Sequence, residues 1–225
     1  MSFYVVQFLT GLSSASALFL VASGLSIIFG VTRVVNFSHG SFYMLGAYLA
    51  WTLIELMGGS IIGFWVAVLL AAMIVGGLGA LVEMCVLRRV YQAPELFQLV
   101  ATFGVILVIQ DVALLVWGPE DRVGQRAPGL AHSVDIGGVP MPVYDLALIL
   151  LSPVVMLVLW LLFNRTRWGV LVRAATEDRT MVSALGVDER WLFTATFFLG
   201  SVLAGLGGRL NCQKAGPIYS WILVF

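Results

Sequence analysis

NRTRWGVLVRAATEDRTMVSALGVDERW, residues 164–191, lies between two long apolar runs and carries Arg165, Arg167, Arg173, Arg179 and Arg190, about half of the chain's arginines. A loop this basic between membrane-length segments is held on the cytoplasmic side, so it orients everything around it. It also carries helix punctuation. Thr176 reads as an N-cap, Glu177 and Asp178 fall in the first turn where the helix dipole favours negative charge, and Gly186 reads as a left-handed stop. The spacing predicts a helix over 177–185, roughly 13 Å long, with Met181, Val182, Ala184 and Leu185 as its apolar members. A helix this short is marginal in water unless it packs on something. Two supports are open to it: the protein's own membrane ends, or a cytosolic partner that must feel the membrane part move.

Of the 225 residues, 60% are hydrophobic and 11% charged, against roughly 45–50% apolar and 25% charged in a soluble domain. The chain is therefore an integral membrane protein. Its net charge is zero, and no basic run or aromatic-basic patch points to nucleic acid. Cys85 and Cys212 fall on opposite sides of the predicted bilayer and outside any Cys/His cluster, so neither a disulfide nor a structural metal is expected. The first apolar run has no basic leader and is too long for a signal-peptide core, so it reads as a retained span.

Outward from the basic loop, hydropathy predicts an all-α polytopic bundle of six full spans, about 4–29, 41–56, 61–87, 96–117, 143–163 and 189–208, with the start of a seventh at Ile218–Phe225. Residues 164–188 form the cytoplasmic loop and residues 118–142 the main outer loop, and the N-terminus lies outside. Span one, at about 39 Å, exceeds a hydrocarbon core of about 30 Å, so tilt or a break is expected, with the break best placed near Gly24, Ser26 and Gly30. Gly58-Gly59 closes span two. Within 118–142, Val134 to Met141 around Gly137-Gly138 reads as a small hairpin. Asp188 is the expected cap of span six. Along that span Gly200, Ala204 and Gly208 recur every four residues, as do Ser201 and Gly205, giving faces of small residues for tight helix contact. Arg209 and Lys214 fall on the outer side, against the charge rule.

Polar groups near the spans carry competing readings. Asn36-Phe37-Ser38-His39-Gly40 is either a capped entry into span two, with His39 bonded to neighbouring backbone, or a helix break lining a solute path, with Asn36, His39 and Gly40 at the break. Irregular backbone at membrane depth is tolerated only along cavities or where protein buries it. Glu83 is expected to pair with Arg88 or Arg89, or to snorkel. Glu55 reads as interfacial. Asp111 is interfacial or, as an ionisable group within a span, a functional candidate.

Two stretches resemble a known family. Gly24-Leu25-Ser26-Ile27-Ile28-Phe29-Gly30, continuing through Asn36–Gly40 to Gly46-Ala47-Tyr48, is similar to the start of the LivH-type permeases, membrane subunits of ATP-binding cassette importers for branched-chain amino acids and related small polar solutes. Gly169 to Gly208 resembles the family's basic loop and following span: Arg173-Ala174-Ala175, Glu177-Asp178, Ala184-Leu185-Gly186, then the glycine-rich span. The likeness covers residues 10 to 208. Beyond Gly208 the family's pattern is lost and its remaining spans are absent, which implies a chain shortened at its C-terminus.

The resemblance implies a permease of the bacterial inner membrane that pairs with a second, related permease, two cytosolic ATPases and a periplasmic solute-binding protein. The ATPase-coupling residues would be Arg173, Ala175, Glu177, Asp178, Ala184, Leu185 and Gly186. The chain itself has no GxxxxGK[ST] phosphate loop, so no cofactor is expected on it and ATP would be used by the partners. A secondary transporter or channel is the alternative; it calls for midplane charges or inverted repeats, and Glu55, Glu83 and Asp111 all lie toward span ends. An enzyme is the weakest reading, since His39 and His132 fall on opposite sides and no catalytic set clusters.

Overall fold

The computed structural model describes residues 2–58, 60–119, 127–130, 132–136 and 138–212. Gly59, Gly137, Lys214 and the run Ile218–Phe225 lie outside them. Helix α1 spans Ser2–Thr32 and α2 spans His39–Leu56. Helix α3, Ile61–Val82, continues through a π-helical turn, Glu83–Leu87, into the short α4, Arg88–Val90. Then come α5, Glu95–Trp117, and a two-stranded hairpin, β1 Ser133–Ile136 and β2 Val139–Pro142. Helix α6, Val143–Arg165, leads to α7, Arg167–Glu177, α8, Arg179–Ala184, and α9, Glu189–Cys212.

Among the described residues, five helices are long and apolar enough to cross a membrane: α1, α3 with its continuation to Val90, α5, α6 and α9. The chain is an all-α polytopic membrane protein. Helix α2, expected as a further span, is not among the five. Its 18 residues include His39, Glu55 and several hydroxyls, and most of them are buried between other helices. The break expected in α1 is not made at Gly24 or Gly30; the helix runs about 46 Å without interruption. Gly24 serves packing instead, since a Cβ there would stand 2.6 Å from the Gly200 carbonyl oxygen.

Helix α9 is the hub. Its crossing window is 61% buried, against 6% for α6, and α1, α2 and α3 all pack along it. Lipid tails are as apolar as leucine, so close van der Waals approach of backbones replaces hydrophobic sorting as the force that joins helices. Gly200 lies against Ile28 of α1, Gly205 against Ala72 and Val75 of α3, and Gly208 directly on the Tyr43 carbonyl of α2. Ala204 is fully buried with the α2 cluster of Phe42, Tyr43 and Tyr48. Asp188 accepts from the Arg190 amide at the helix start. Arg209, read as an outer-side charge, is buried, with its guanidinium 5.3 Å from the centre of the Phe64 ring.

The two ends of the bundle differ. At one end sits the hairpin, with Val134 opposite Met141 and a turn through Gly138 at φ +85°. Ser13 there donates to Asp145 at 3.3 Å, and Tyr144 donates to the Leu210 carbonyl. Arg33, Arg88, Arg173 and Arg190 gather at the other end. There the π-turn widens the last turn of α3 so that Glu83 and Arg88 meet at 3.0 Å. Glu83 is fully buried, so it pairs and does not snorkel.

The basic loop is two helices where one was expected. Thr166 accepts from Gly169 and starts α7; Asp178, not Thr176, caps α8 by accepting from Met181 at 3.2 Å. Thr176 lies inside α7, its hydroxyl turned back to the Val172 and Arg173 carbonyls. Both residues are good caps, and the decision falls to packing. Gly169, Val172 and Ala175 form one buried stripe, which keeps the backbone helical past Thr176. Gly186 does adopt the left-handed conformation, φ +82°.

Candidate functional site

Between α1 and α2 the chain turns back into the bundle. Arg33 ends α1 with φ 56°, the one positive value at a non-glycine among the described residues. Asn36 then accepts through Oδ1 from the Ser38 amide at 3.1 Å and from the Ser38 hydroxyl, an Asx turn that reverses the backbone. His39 Nε2 meets the Val21 carbonyl at 3.0 Å. Val21 lies about 16 Å back along α1 from Thr32, and six residues can reach at most about 20 Å. Residues 33–38 therefore fold back alongside the last three turns of α1, and α2 begins inside the bundle.

That geometry combines features of both readings of Asn36–Gly40. Ser38 makes no side-chain cap bond, while His39 does bond to backbone, at the Val21 carbonyl of α1. The segment is a turn that folds back against α1. Its irregular backbone is sheltered as the absence of water requires: Asn36, Ser38 and His39 are buried, and Phe37 stacks on Phe103 of α5 at 5.5 Å.

Three cavities follow the segment. The first, of about 320 Å³, lies between α1 and α2 and is lined by Leu18, Val21, Leu25, Asn36, Phe37 and His39 among others. The second, about 380 Å³, shares Val35 and Phe37 with it and adds Phe29, Arg33, Glu95 and Gln98. The third, about 410 Å³, shares Arg33, Glu95 and Gln98 and reaches Tyr91, Glu177 and Asp178 of the α7–α8 elbow. Polarity thus rises along this series toward the arginine-rich end. Among the described residues no group of His, Cys, Asp and Glu could hold a metal ion.

The elbow stands on the ends of α1 and α9. Val182 is buried with Val31, Val172, Ala175, Leu192 and Phe193, while Met181 and Leu185 are 65% and 81% exposed. Ala184 and Gly186 also face outward, as do Arg173, Glu177 and Asp178, whereas Ala175 belongs to the buried seam. The candidate coupling residues therefore divide between a packed inner side and an open outer side. Glu55 and Asp111 lie on outward surfaces of α2 and α5, away from the three cavities. Sequence reasoning missed Arg33, Glu95 and Gln98 as cavity walls. Arg33 was legible only as an orienting charge, because nothing local announces a left-handed arginine.

A family model described as the branched-chain amino acid transport system / permease component matches residues 7–221. The high-affinity branched-chain amino acid transport permease protein BraD of Pseudomonas aeruginosa is 26% identical over 223 residues, 96% of this chain and 73% of its own length. The corresponding LivH protein of Escherichia coli K12 is 28% identical over 233 residues, 98% and 74%. A probable LivH of Methanocaldococcus jannaschii is 24% identical over 204 residues, 87% and 62%. No solved structure matches at the same stringency.

Proposed function

Because the chain belongs to the family of branched-chain amino acid transport permease components, a family of transport subunits and not of enzymes, we propose that it is the membrane-spanning subunit of an ATP-driven importer for branched-chain amino acids or related small polar amides. It works in the inner membrane with the arginine-rich end in the cytoplasm and the N-terminus outside. In that arrangement α2 joins the five crossing helices as a sixth membrane segment that begins inside the bundle. A second permease, two cytosolic ATPases and an external binding protein complete the machine, and ATP is hydrolysed by the partners.

One observation carries this reading. The α7–α8 elbow is packed on its inner side against the ends of α1 and α9 and bare on its outer side, where Met181 and Leu185 stand free. An exposed apolar pair suits a groove on a cytosolic protein, and any push on α8 passes through Val182 to the bundle. Movement of the elbow then opens or closes the adjoining cavities, giving alternating access through rigid elements.

Co-expression with the ATPases tests it. Met181→Asp with Leu185→Asp leaves Val182 in place and should abolish ATPase co-purification and leucine uptake while the chain still inserts. Labelling of a cysteine at Ser183 from outside intact cells would show the arrangement to be inverted.

A further inference from the structure

The first two cavities beside the α1–α2 turn form one cleft with two kinds of wall. They share Val35 and Phe37. One part, about 320 Å³, is almost entirely apolar, with Leu18, Val21 and Leu25 of α1 facing that shared pair. Leu18, Val35 and Phe37 are exposed, so the cleft opens on the flank of the bundle, where a membrane-spanning chain meets lipid. Arg33, Glu95 and Gln98 line the other part, about 380 Å³. Along α1, Leu25 lies about 12 Å and Leu18 about 22 Å from Arg33, while half of a hydrocarbon core is about 15 Å. The apolar part therefore sits across the middle of a bilayer and the charged part at its edge, the order of tail and headgroup in a phospholipid.

The charged part selects among headgroups. Arg33 spends one donor on the Thr176 carbonyl and keeps the rest of its guanidinium fork, which suits phosphate. Among the described residues neither Arg33 nor Glu95 has an ion-pair partner, so one cavity holds a cation and an anion that do not neutralise each other. Gln98 donates to the Tyr91 and Ala93 carbonyls, which leaves its side-chain oxygen as an acceptor. The adjoining cavity adds Glu177 and Asp178, so carboxylates outnumber the arginine. A purely anionic headgroup is repelled there; one that carries an amine beside its phosphate is not. A further helix, about 10 Å across, needs a wider opening than the apolar part gives, whereas a hydrocarbon chain does not.

We infer that this cleft binds an aminophospholipid, of the phosphatidylethanolamine type, from the leaflet at the arginine-rich end. One acyl chain occupies the space beside Leu18, Val21 and Leu25, the phosphate meets Arg33, and the ammonium meets Glu95 and the Gln98 oxygen. Arg33 also holds the Thr176 carbonyl, so a seated headgroup bears on the elbow. The inference needs only that the chain spans a bilayer; it goes beyond the transport reading and does not depend on it.

A phosphatidylethanolamine carrying a photoreactive diazirine on its acyl chain tests the site. The purified chain, with the subunits that accompany it, is placed in phosphatidylcholine nanodiscs, and adducts are mapped by peptide mass spectrometry. Labelling should concentrate on Leu18, Val21, Leu25 and Val35. Unlabelled phosphatidylethanolamine should displace it at least about tenfold more effectively than phosphatidylglycerol, equivalent to about 1.4 kcal/mol. Glu95→Gln should remove most of that preference. Leu25→Trp, which fills the apolar part, should suppress labelling of the cleft while Leu157 on the exposed face of α6 is still labelled, showing that the variant inserts. The competition is read on wild type and stands whatever the variants do. Adducts spread evenly over the cleft and α6, or equal displacement by the two lipids, overturn the site. So does a wild-type cleft that takes no label because another subunit covers it, seen as a cross-link to that subunit from a photoreactive residue at Val35. Leucine uptake by the same assembly is scored separately. Uptake without cleft labelling removes the lipid site and leaves the transport reading standing, and labelling without uptake does the reverse.

Discussion

Arg33 donates through Nη2 to the Thr176 carbonyl oxygen at 2.9 Å, so the residue that ends α1 also holds the last turn of α7. It joins the turn between α1 and α2 to the elbow across 143 residues of sequence. A left-handed arginine carries about 1–2 kcal/mol of backbone strain, which Arg33→Gly relieves while cutting the link. The variant should be as stable as wild type or slightly more so, yet move several-fold less leucine for each ATP hydrolysed. The ratio of uptake to hydrolysis in proteoliposomes is the reading; an unchanged ratio removes Arg33 from the coupling route.

Glu83 is held by Arg88 at 3.0 Å, by the Thr194 hydroxyl at 2.7 Å and by the Tyr91 hydroxyl at 3.3 Å. These bonds clamp the π-turn of α3 to α9. Arg88→Ala leaves a fully buried carboxylate without its cation, a loss of about 3–5 kcal/mol when a pair is buried. The lower end is expected because Arg88 is 30% exposed. Glu83→Gln with Arg88→Met removes both charges and should cost less. Thermal melting in detergent orders the two, and a double variant melting below Arg88→Ala would contradict the account.

Small residues on α9 differ from glycines elsewhere in what surrounds them. A Cβ at Gly208 would overlap the Tyr43 backbone, whereas one at Gly77 meets nothing within 4 Å. Gly208→Ala should prise α2 from α9 and sharply reduce folded yield. Gly77→Ala should be neutral or stabilise α3 by up to about 1 kcal/mol. Size-exclusion yield and Tm compare them directly.

Gly186 closes α8 with φ +82°, and its amide bonds back to the Ser183 carbonyl at 3.0 Å. A β-branched residue there is strained by about 1–2 kcal/mol. Gly186→Val should therefore loosen the elbow and lower solute-stimulated ATP hydrolysis, while Gly186→Asn, which tolerates the left-handed region, retains more of it. Equal stimulation in both variants would show that the turn does not matter.

The amino-acid order alone determined the membrane class, the helix limits within a few residues for α3, α5, α6 and α9, the hairpin, the basic elbow, the left-handed stop at Gly186 and the small-residue faces of α9. All of these are written locally, in hydropathy, period and the conformational range of glycine. Tertiary structure decided what those signals leave degenerate. Thr176 and Asp178 are both competent caps, and the buried seam of Gly169, Val172 and Ala175 chose Asp178. Hydropathy showed α2 as another span, but its starting depth depends on a bond from His39 to a carbonyl 18 residues away on another helix. The π-turn that seats Glu83, the left-handed Arg33 and the chain of cavities likewise arise only when separate helices share one volume, because each depends on partners that the local sequence does not contain.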